Sequence, residues 1–185
     1  MRFIGMNIPE FELDVFHQGE FKKVSDKDLK GKWSVLFFYP ADFTFVCPTE
    51  LEDLADAYED FKKVDTEIYS ISKDTHFVHK AWHDESKAVG KIEYPMVGDP
   101  TGFFGQLLDI VQDNGLYDRA TFLINPEGEI VLYEVSADGI GRNSEELLRK
   151  VEAAQFVAKH GVVCPAKWKP GKETLTPGIS LVGKI

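Results

Sequence analysis

The sequence is short of cysteine, with two residues in 185, Cys47 and Cys164. Two are too few to staple a disulfide scaffold. They lie far apart, so they form neither a C-x-x-C redox pair nor a zinc knuckle. Basic residues are scarce beside acidic ones, 21 against 31, for a formal net charge of −10. Such a chain repels phosphate backbones and anionic lipid surfaces unless a local basic patch overrides the mean. Lys167, Lys169 and Lys172 form only a short cluster, interrupted by Pro170, so no nucleic-acid and no membrane partner is expected. Long apolar runs are absent too; none approaches the roughly 20 residues that span a bilayer. Met1 to Glu20 carries acids and no continuous apolar stretch, unlike a signal peptide, and the expected location is the cytoplasm. No internal repeat or low-complexity tract interrupts the chain.

What remains is ample for one packed domain: 43% hydrophobic residues, with 14 Phe, 6 Tyr and 3 Trp. Phe11, Leu13 and Val15 alternate with acids, as a short half-buried strand does. Ser25 to Lys30 reads as a brief helical turn ending at Gly31. Trp33 to Tyr39 (WSVLFFY) is apolar nearly throughout, the mark of a central strand covered on both faces. Pro40 ends it, and Ala41 to Cys47 connects it to a helix with Leu51, Leu54, Ala55 and Tyr58 at helical spacing. Pro48 suits the first turn, where its missing N–H costs nothing, and Glu50 suits the positive helix end.

Thr66 to Ser72 reads as a second strand and Asp74 to Val89 as a helix capped by Asp74 or Thr75. Tyr94 to Val97 reads as a short strand and Thr101 to Ile110 as a short helix. Arg119–Ile124 and Glu129–Val135 flank the turn Asn125-Pro126-Glu127-Gly128 as an antiparallel hairpin. Asn143 to Lys159 is a long helix capped by Asn143 or Ser144. The order predicts an α/β, thioredoxin-like fold: a mixed central sheet with helices on both faces. From Gly161 onward prolines and glycines accumulate, so residues 1–160 are expected to form the domain and 161–185 an extended C-terminal arm. Leu175, Ile179, Leu181 and Val182 make that arm apolar enough to dock.

Cys47 sits where a buried strand hands over to a helix, at the sheet edge where ligands usually bind. Unpaired N–H groups and the helix dipole there favour thiolate, the nucleophilic form. Position alone leaves the alternative of a packed and inert thiol open. Thr44, whose hydroxyl can both accept and donate beside the sulfur, and Pro40 and Pro48 on either side favour the reactive reading.

These residues spell P-x-x-x-T-x-x-C. With FYPADFTFVCPTE, Tyr94 to Asp99 and DRATFLINPEGEI, the chain resembles the typical two-cysteine peroxiredoxins. VCPAKWKPG and LVGKI narrow the resemblance to the bacterial alkyl hydroperoxide reductase C type, over essentially the whole chain. The resemblance implies roles. Cys47 matches the peroxidatic cysteine, Thr44 the threonine that orients the peroxide, and Pro40 the shielding proline. Arg119 matches the arginine that stabilises the thiolate and holds the peroxide, and Glu50 an acid that positions arginine. Cys164 matches the resolving cysteine, which closes an intersubunit disulfide with Cys47. On sequence alone, Arg119 and Glu50 read equally as a solvated arginine and a favourable charge at a helix start.

The implied activity is reduction of hydrogen peroxide and small organic hydroperoxides, with no metal, flavin or haem. The implied partners are the peroxide, a flavoprotein disulfide reductase or a thioredoxin-type protein as electron donor, and further copies of the chain, as dimers assembled into a ring, a decamer. The Gly-Gly-Leu-Gly insertion and terminal Tyr-Phe of peroxide-sensitive relatives are missing, which implies resistance to overoxidation. A general thiol–disulfide oxidoreductase is disfavoured by the lack of C-x-x-C, and a ring-forming holdase has only the apolar arm in its favour. Two further patterns carry little. His76, His79 and His83 share a helix face, and a metal site there is discounted for want of a fourth ligand. Gly139-Ile140-Gly141-Arg142 is too short for a phosphate loop and reads as a turn into a capped helix.

Overall fold

The computed structural model describes residues 2–184. They fall into two compact units, residues 2–144 and 145–184. The first is built on a seven-stranded sheet. Its strands are β1 (Glu12–His17), β2 (Glu20–Ser25), β3 (Trp33–Phe38), β4 (Thr66–Ser72), β5 (Met96–Gly98), β6 (Arg119–Ile124) and β7 (Ile130–Ser136), in the order β2-β1-β5-β4-β3-β6-β7. β3, β4 and β5 run parallel, and every other pairing is antiparallel. The sheet is therefore mixed, as the element order predicts.

β3 lies near the centre, and its residues from Ser34 to Phe38 are all buried. Alternation along it separates two faces. Leu36 and Phe38 join Phe11, Phe104, Tyr117 and Phe122 in one aromatic core, roofed by the short helix α3 (Phe103–Leu107). Gly105 is required there, because a Cβ would stand 2.1 Å from the Tyr117 ring. Phe37 and Tyr39 face the other way. That side carries α1 (Cys47–Lys63) and α2 (His76–Glu85); Leu51, Leu54 and Phe61 of α1 are buried, and Trp82 of α2 lies beside Tyr39.

The structure departs from the sequence expectation at several elements; the helix expected over Thr101–Ile110, for one, spans only Phe103–Leu107. β2 has no sequence signal: of its six residues only Val24 is buried, so it shows no strand-like alternation and is held by pairing with β1. The helix expected over Asp74–Val89 is shorter, from His76 to Glu85, and is followed by a 3₁₀ turn at Val89–Lys91. Thr75 is its cap, accepting from the Val78 N–H, while the Asp74 carboxylate accepts from the Ser72 hydroxyl and the Asp42 N–H.

The histidines also separate. His79 is fully buried, with Nδ1 2.7 Å from the Asp42 carboxylate and Nε2 3.0 Å from the Val97 carbonyl. His83 Nε2 lies on the Ile92 carbonyl, and His76 packs on Phe21 and Phe77. Both ring nitrogens of His79 are thus committed to the protein's own oxygens.

In the second unit, α4 (Ser144–His160) continues from the first unit's last residue. The arm beyond it is ordered by a bridge between Val163 and Leu175 and by the buried Trp168. Trp168 packs on Phe156, accepts from Arg149 through its carbonyl and donates its indole N–H to the Lys172 carbonyl. Cys164 is partly buried, its thiol 3.9 Å from the Ala153 carbonyl. Burial lifts this thiol above its ordinary value, with Arg149 opposing.

Candidate active site

The chain leaves β3 through Tyr39 and the buried Pro40, runs across Ala41–Val46, and enters α1 at Cys47. Phe43 adopts a left-handed conformation (φ 55°) in this connection, and the Thr44 hydroxyl donates to the Ala41 carbonyl at 2.9 Å. Thr44 is thus held within the loop, with its oxygen still able to accept. Cys47 is the first helical residue and is fully buried, followed by Pro48.

Arg119 arrives from the other direction. β6 runs antiparallel to β3 with Thr121 opposite Phe37. Two residues earlier in β6 is the end of β3 where Pro40 and Cys47 follow, so register alone carries Arg119 to the thiol. Its Nη1 lies 3.4 Å from the Cys47 sulfur and 2.8 Å from Glu50 Oε2, and its Nε donates to the Asp138 carbonyl at 2.8 Å. The residue is only 4% exposed, so its charge acts on the sulfur with little screening. Nη2 has no hydrogen-bond partner among the described residues.

Glu50, one turn after Cys47, bridges two arginines. It accepts from Arg119 and, through both oxygens, from the Arg142 backbone N–H, Nε and Nη2 at 2.9–3.0 Å. Burial would push its carboxyl up, but the hydrogen bond and charge of Arg142, with Arg119 behind them, hold it below the usual carboxylate range. Arg142 also donates to the Ala120 carbonyl and Thr121 hydroxyl, and its guanidinium sits 3.3 Å from the centre of the Phe37 ring.

The structure thus brings Cys47, Arg119 and Glu50 together, with Thr44 and Pro40 on the loop leading to the thiol. Cys164 belongs to the other unit. Sequence reasoning misses Arg142, which it sets aside with the Gly139–Arg142 turn. The only signal available is an arginine just before a helix, a place where a cation opposes the helix dipole and so needs another reason. That reason is the Glu50 carboxylate, 92 residues away in sequence.

A buried sulfur with a fixed cation beside it that keeps a spare donor defines a thiol-based active site. The chain also matches known proteins. The profile of the AhpC/TSA family matches residues 4–133, and that of the C-terminal domain of 1-Cys peroxiredoxin matches 153–180, a stretch that contains Cys164. Alkyl hydroperoxide reductase C of Salmonella typhimurium is 56% identical over 187 residues and that of Bacillus subtilis 53%, each covering 100% of both chains. Among solved structures, Enterococcus faecalis AhpC superposes with a TM-score of 0.86 at 50% identity, covering 89% of this chain and 100% of that one. Reduced Plasmodium vivax 2-Cys peroxiredoxin gives 0.91 at 32% identity, covering 94% and 93%.

The chain belongs to the AhpC/TSA family. Within it, this is a peroxiredoxin of the bacterial alkyl hydroperoxide reductase C type, with a thioredoxin-like fold and thiol peroxidase activity. Among the described residues no helix is long and apolar enough to cross a membrane.

Proposed function

We propose that this protein reduces hydrogen peroxide and small organic hydroperoxides through a Cys47 sulfenic acid that Cys164 of another subunit resolves. The observation that carries the reading is the Arg119 guanidinium 3.4 Å from the buried Cys47 sulfur. The Cys47 thiolate attacks one peroxide oxygen, the O–O bond breaks, and the leaving oxygen takes a proton as water or alcohol. Negative charge moves from sulfur to that oxygen, and the free Arg119 Nη2 is a donor for it that keeps its proton at any working pH. Thr44 orients the peroxide, Pro40 shields the thiol from bulk water, and Glu50 holds Arg119 in place.

The Cys164 sulfur then attacks the sulfenic sulfur, releasing water and forming a disulfide. Two electrons and two protons from a dithiol donor, a flavoprotein disulfide reductase or a thioredoxin-type protein, restore both thiols. In this division of labour residues 1–160 are the peroxidase body and 161–185 the arm that presents Cys164. The cycle draws on no metal, flavin or haem bound to this chain, and we place it in the cytoplasm.

Peroxide addition tests the resolving step. One equivalent given to pre-reduced protein should yield a chain-doubled mass under denaturing, non-reducing conditions, with Cys47 joined to Cys164 in the peptide map. A monomer carrying one added oxygen would refute resolution by Cys164.

Ring assembly, as a decamer built from dimers, is part of the same proposal. It is supported by an exposed aromatic cluster in which Phe21, His76 and Phe77 pack on one another, and by Phe43 on the active-site loop. Phe77 is 61% exposed in the single chain, so a partner surface there would bury a large apolar group. Phe77→Glu is expected to shift the sedimentation coefficient from that of a ring to that of a dimer, with the folded CD spectrum kept.

A further inference from the structure

Arg119 is aimed by three groups, and two of them, Cys47 and Glu50, lie on α1. The third is the Asp138 backbone carbonyl, which takes the Nε–H at 2.8 Å. A guanidinium is a rigid planar fork, so fixing Nε and Nη1 together sets its plane and the direction of the free Nη2. Whatever holds Asp138 therefore holds half of the aim.

Asp138 has little of its own to hold it. β7 ends at Ser136, opposite Arg119, and the ladder reaches no further. Residues 137–141 are exposed and include Gly139 and Gly141. One backbone bond, from the Ile140 N–H to the Ala137 carbonyl, closes the segment, and Arg142 pins its far end on Glu50. At the near end the Asp138 carboxylate accepts from Gln112 Nε2 at 2.8 Å.

Gln112 is itself fixed on every side. Its backbone exchanges hydrogen bonds within a tight hairpin, its N–H donating to the Leu116 carbonyl and its carbonyl accepting from Gly115. Its second amide hydrogen donates to the Tyr117 carbonyl at 3.2 Å, two residues before Arg119, and its Oε1 accepts from Asn114. With carboxylate and carbonyl on one side and an amide donor on the other, the carboxamide has only one orientation that satisfies all three contacts. The side chain so tied spans the strand that carries Arg119 and the loop that orients it.

We propose that Gln112 is a positioning residue for peroxide reduction, clamping Asp138 so that its carbonyl aims the Arg119 guanidinium at the reacting sulfur and oxygen. The inference rests on the role proposed above for Arg119. Gln112 touches neither the thiol nor the peroxide and acts through Asp138.

The test compares two reactions of one thiol in a Cys164→Ser background, where Cys47 is the only cysteine. Reduction of hydrogen peroxide needs Arg119 at both the sulfur and the leaving oxygen, whereas alkylation by iodoacetamide, with iodide leaving, needs it at the sulfur alone. Gln112→Glu sets a carboxylate against Asp138 and the Tyr117 carbonyl. It should slow peroxide reduction by roughly tenfold, and Gln112→Ala by roughly threefold, the range of one or two lost hydrogen bonds. The ratio of peroxide to iodoacetamide rates should fall in both. Adding Asp138→Asn to Gln112→Glu restores a donor to the pair and should recover part of the loss.

A merely structural role would lower both rates together or only the Tm, and that result, or an unchanged ratio in Gln112→Ala, overturns the proposal. Arg119→Met in the same assay separates the two readings. If it leaves peroxide reduction intact, the role of Arg119 itself fails; if it slows the reaction while the Gln112 variants do not, only the clamp fails.

Discussion

Cys47→Ser is expected to remove peroxide reduction while leaving the fold intact. The substitution is nearly isosteric at a fully buried position, and the serine hydroxyl accepts from Arg119 as the sulfur does. What disappears is the nucleophile, because a serine hydroxyl has no base beside it and stays protonated where a thiol ionises. The loss should be on the order of a thousandfold or more in the second-order rate with peroxide, read by stopped-flow consumption of peroxide in the presence of a dithiol. An unchanged Tm would show that the defect is chemical. Retained peroxide turnover in this variant would transfer the nucleophile to Cys164 and end the assignment of Cys47. Aggregation suppression, if the protein has it, should survive, which separates a holdase role from the peroxidase.

Glu50→Gln should have the largest effect on stability of any single change in the site. One carboxylate takes four hydrogen bonds from two guanidinium groups and one backbone N–H, at a residue only 3% exposed. Glutamine keeps one acceptor and turns an amide donor toward cations. Leaving two buried arginines without their counter-charge costs roughly 3–5 kcal/mol, a Tm drop on the order of 10 °C for a chain of this size. Peroxide reduction should fall with it, by about tenfold to a hundredfold, because Arg119 Nη1 loses the partner that sets its plane. Calorimetry and stopped-flow kinetics on the same variant read the two effects.

The pH dependence follows from the depressed carboxyl. A group whose folded-state value lies below its unfolded value stabilises the fold above the ordinary value of 4.5, and that contribution is lost as pH falls through the folded-state value. The Tm gap between wild type and Glu50→Gln should therefore be full at neutral pH and close on acidification below 4.5. A gap that persists unchanged into strong acid would show that shape, and not charge, is what Glu50 contributes.

The amino-acid sequence by itself determined the frame of the site. WSVLFFY between polar segments reads as a covered strand, Pro40 ends it, and Pro48 suits the first turn of a helix, so local pattern alone places Cys47 at a strand–helix junction. The NPEG turn commits Arg119–Ile124 and its successor to a hairpin through local backbone chemistry. Those are short-range effects, and short-range effects are what a sequence displays.

Tertiary structure decided what converges on the thiol. Antiparallel register between β3 and β6 carries Arg119 to Cys47, and no local pattern around Arg119 announces it. Arg142 reads as the end of a turn, and Gln112 carries no sequence signal, until a carboxylate from another segment gives each a partner. His79 reads as one of three imidazoles on a helix face, yet it is buried against Asp42 and Val97 because the sheet lies beneath that face. β2, exposed over its first four residues, becomes a strand only because β1 offers it an edge. Apart from β2, whose partner β1 lies just across a two-residue turn, the deciding interaction is a polar or charged contact between distant segments. Its energy depends on burial and geometry, quantities that exist only once the chain has folded.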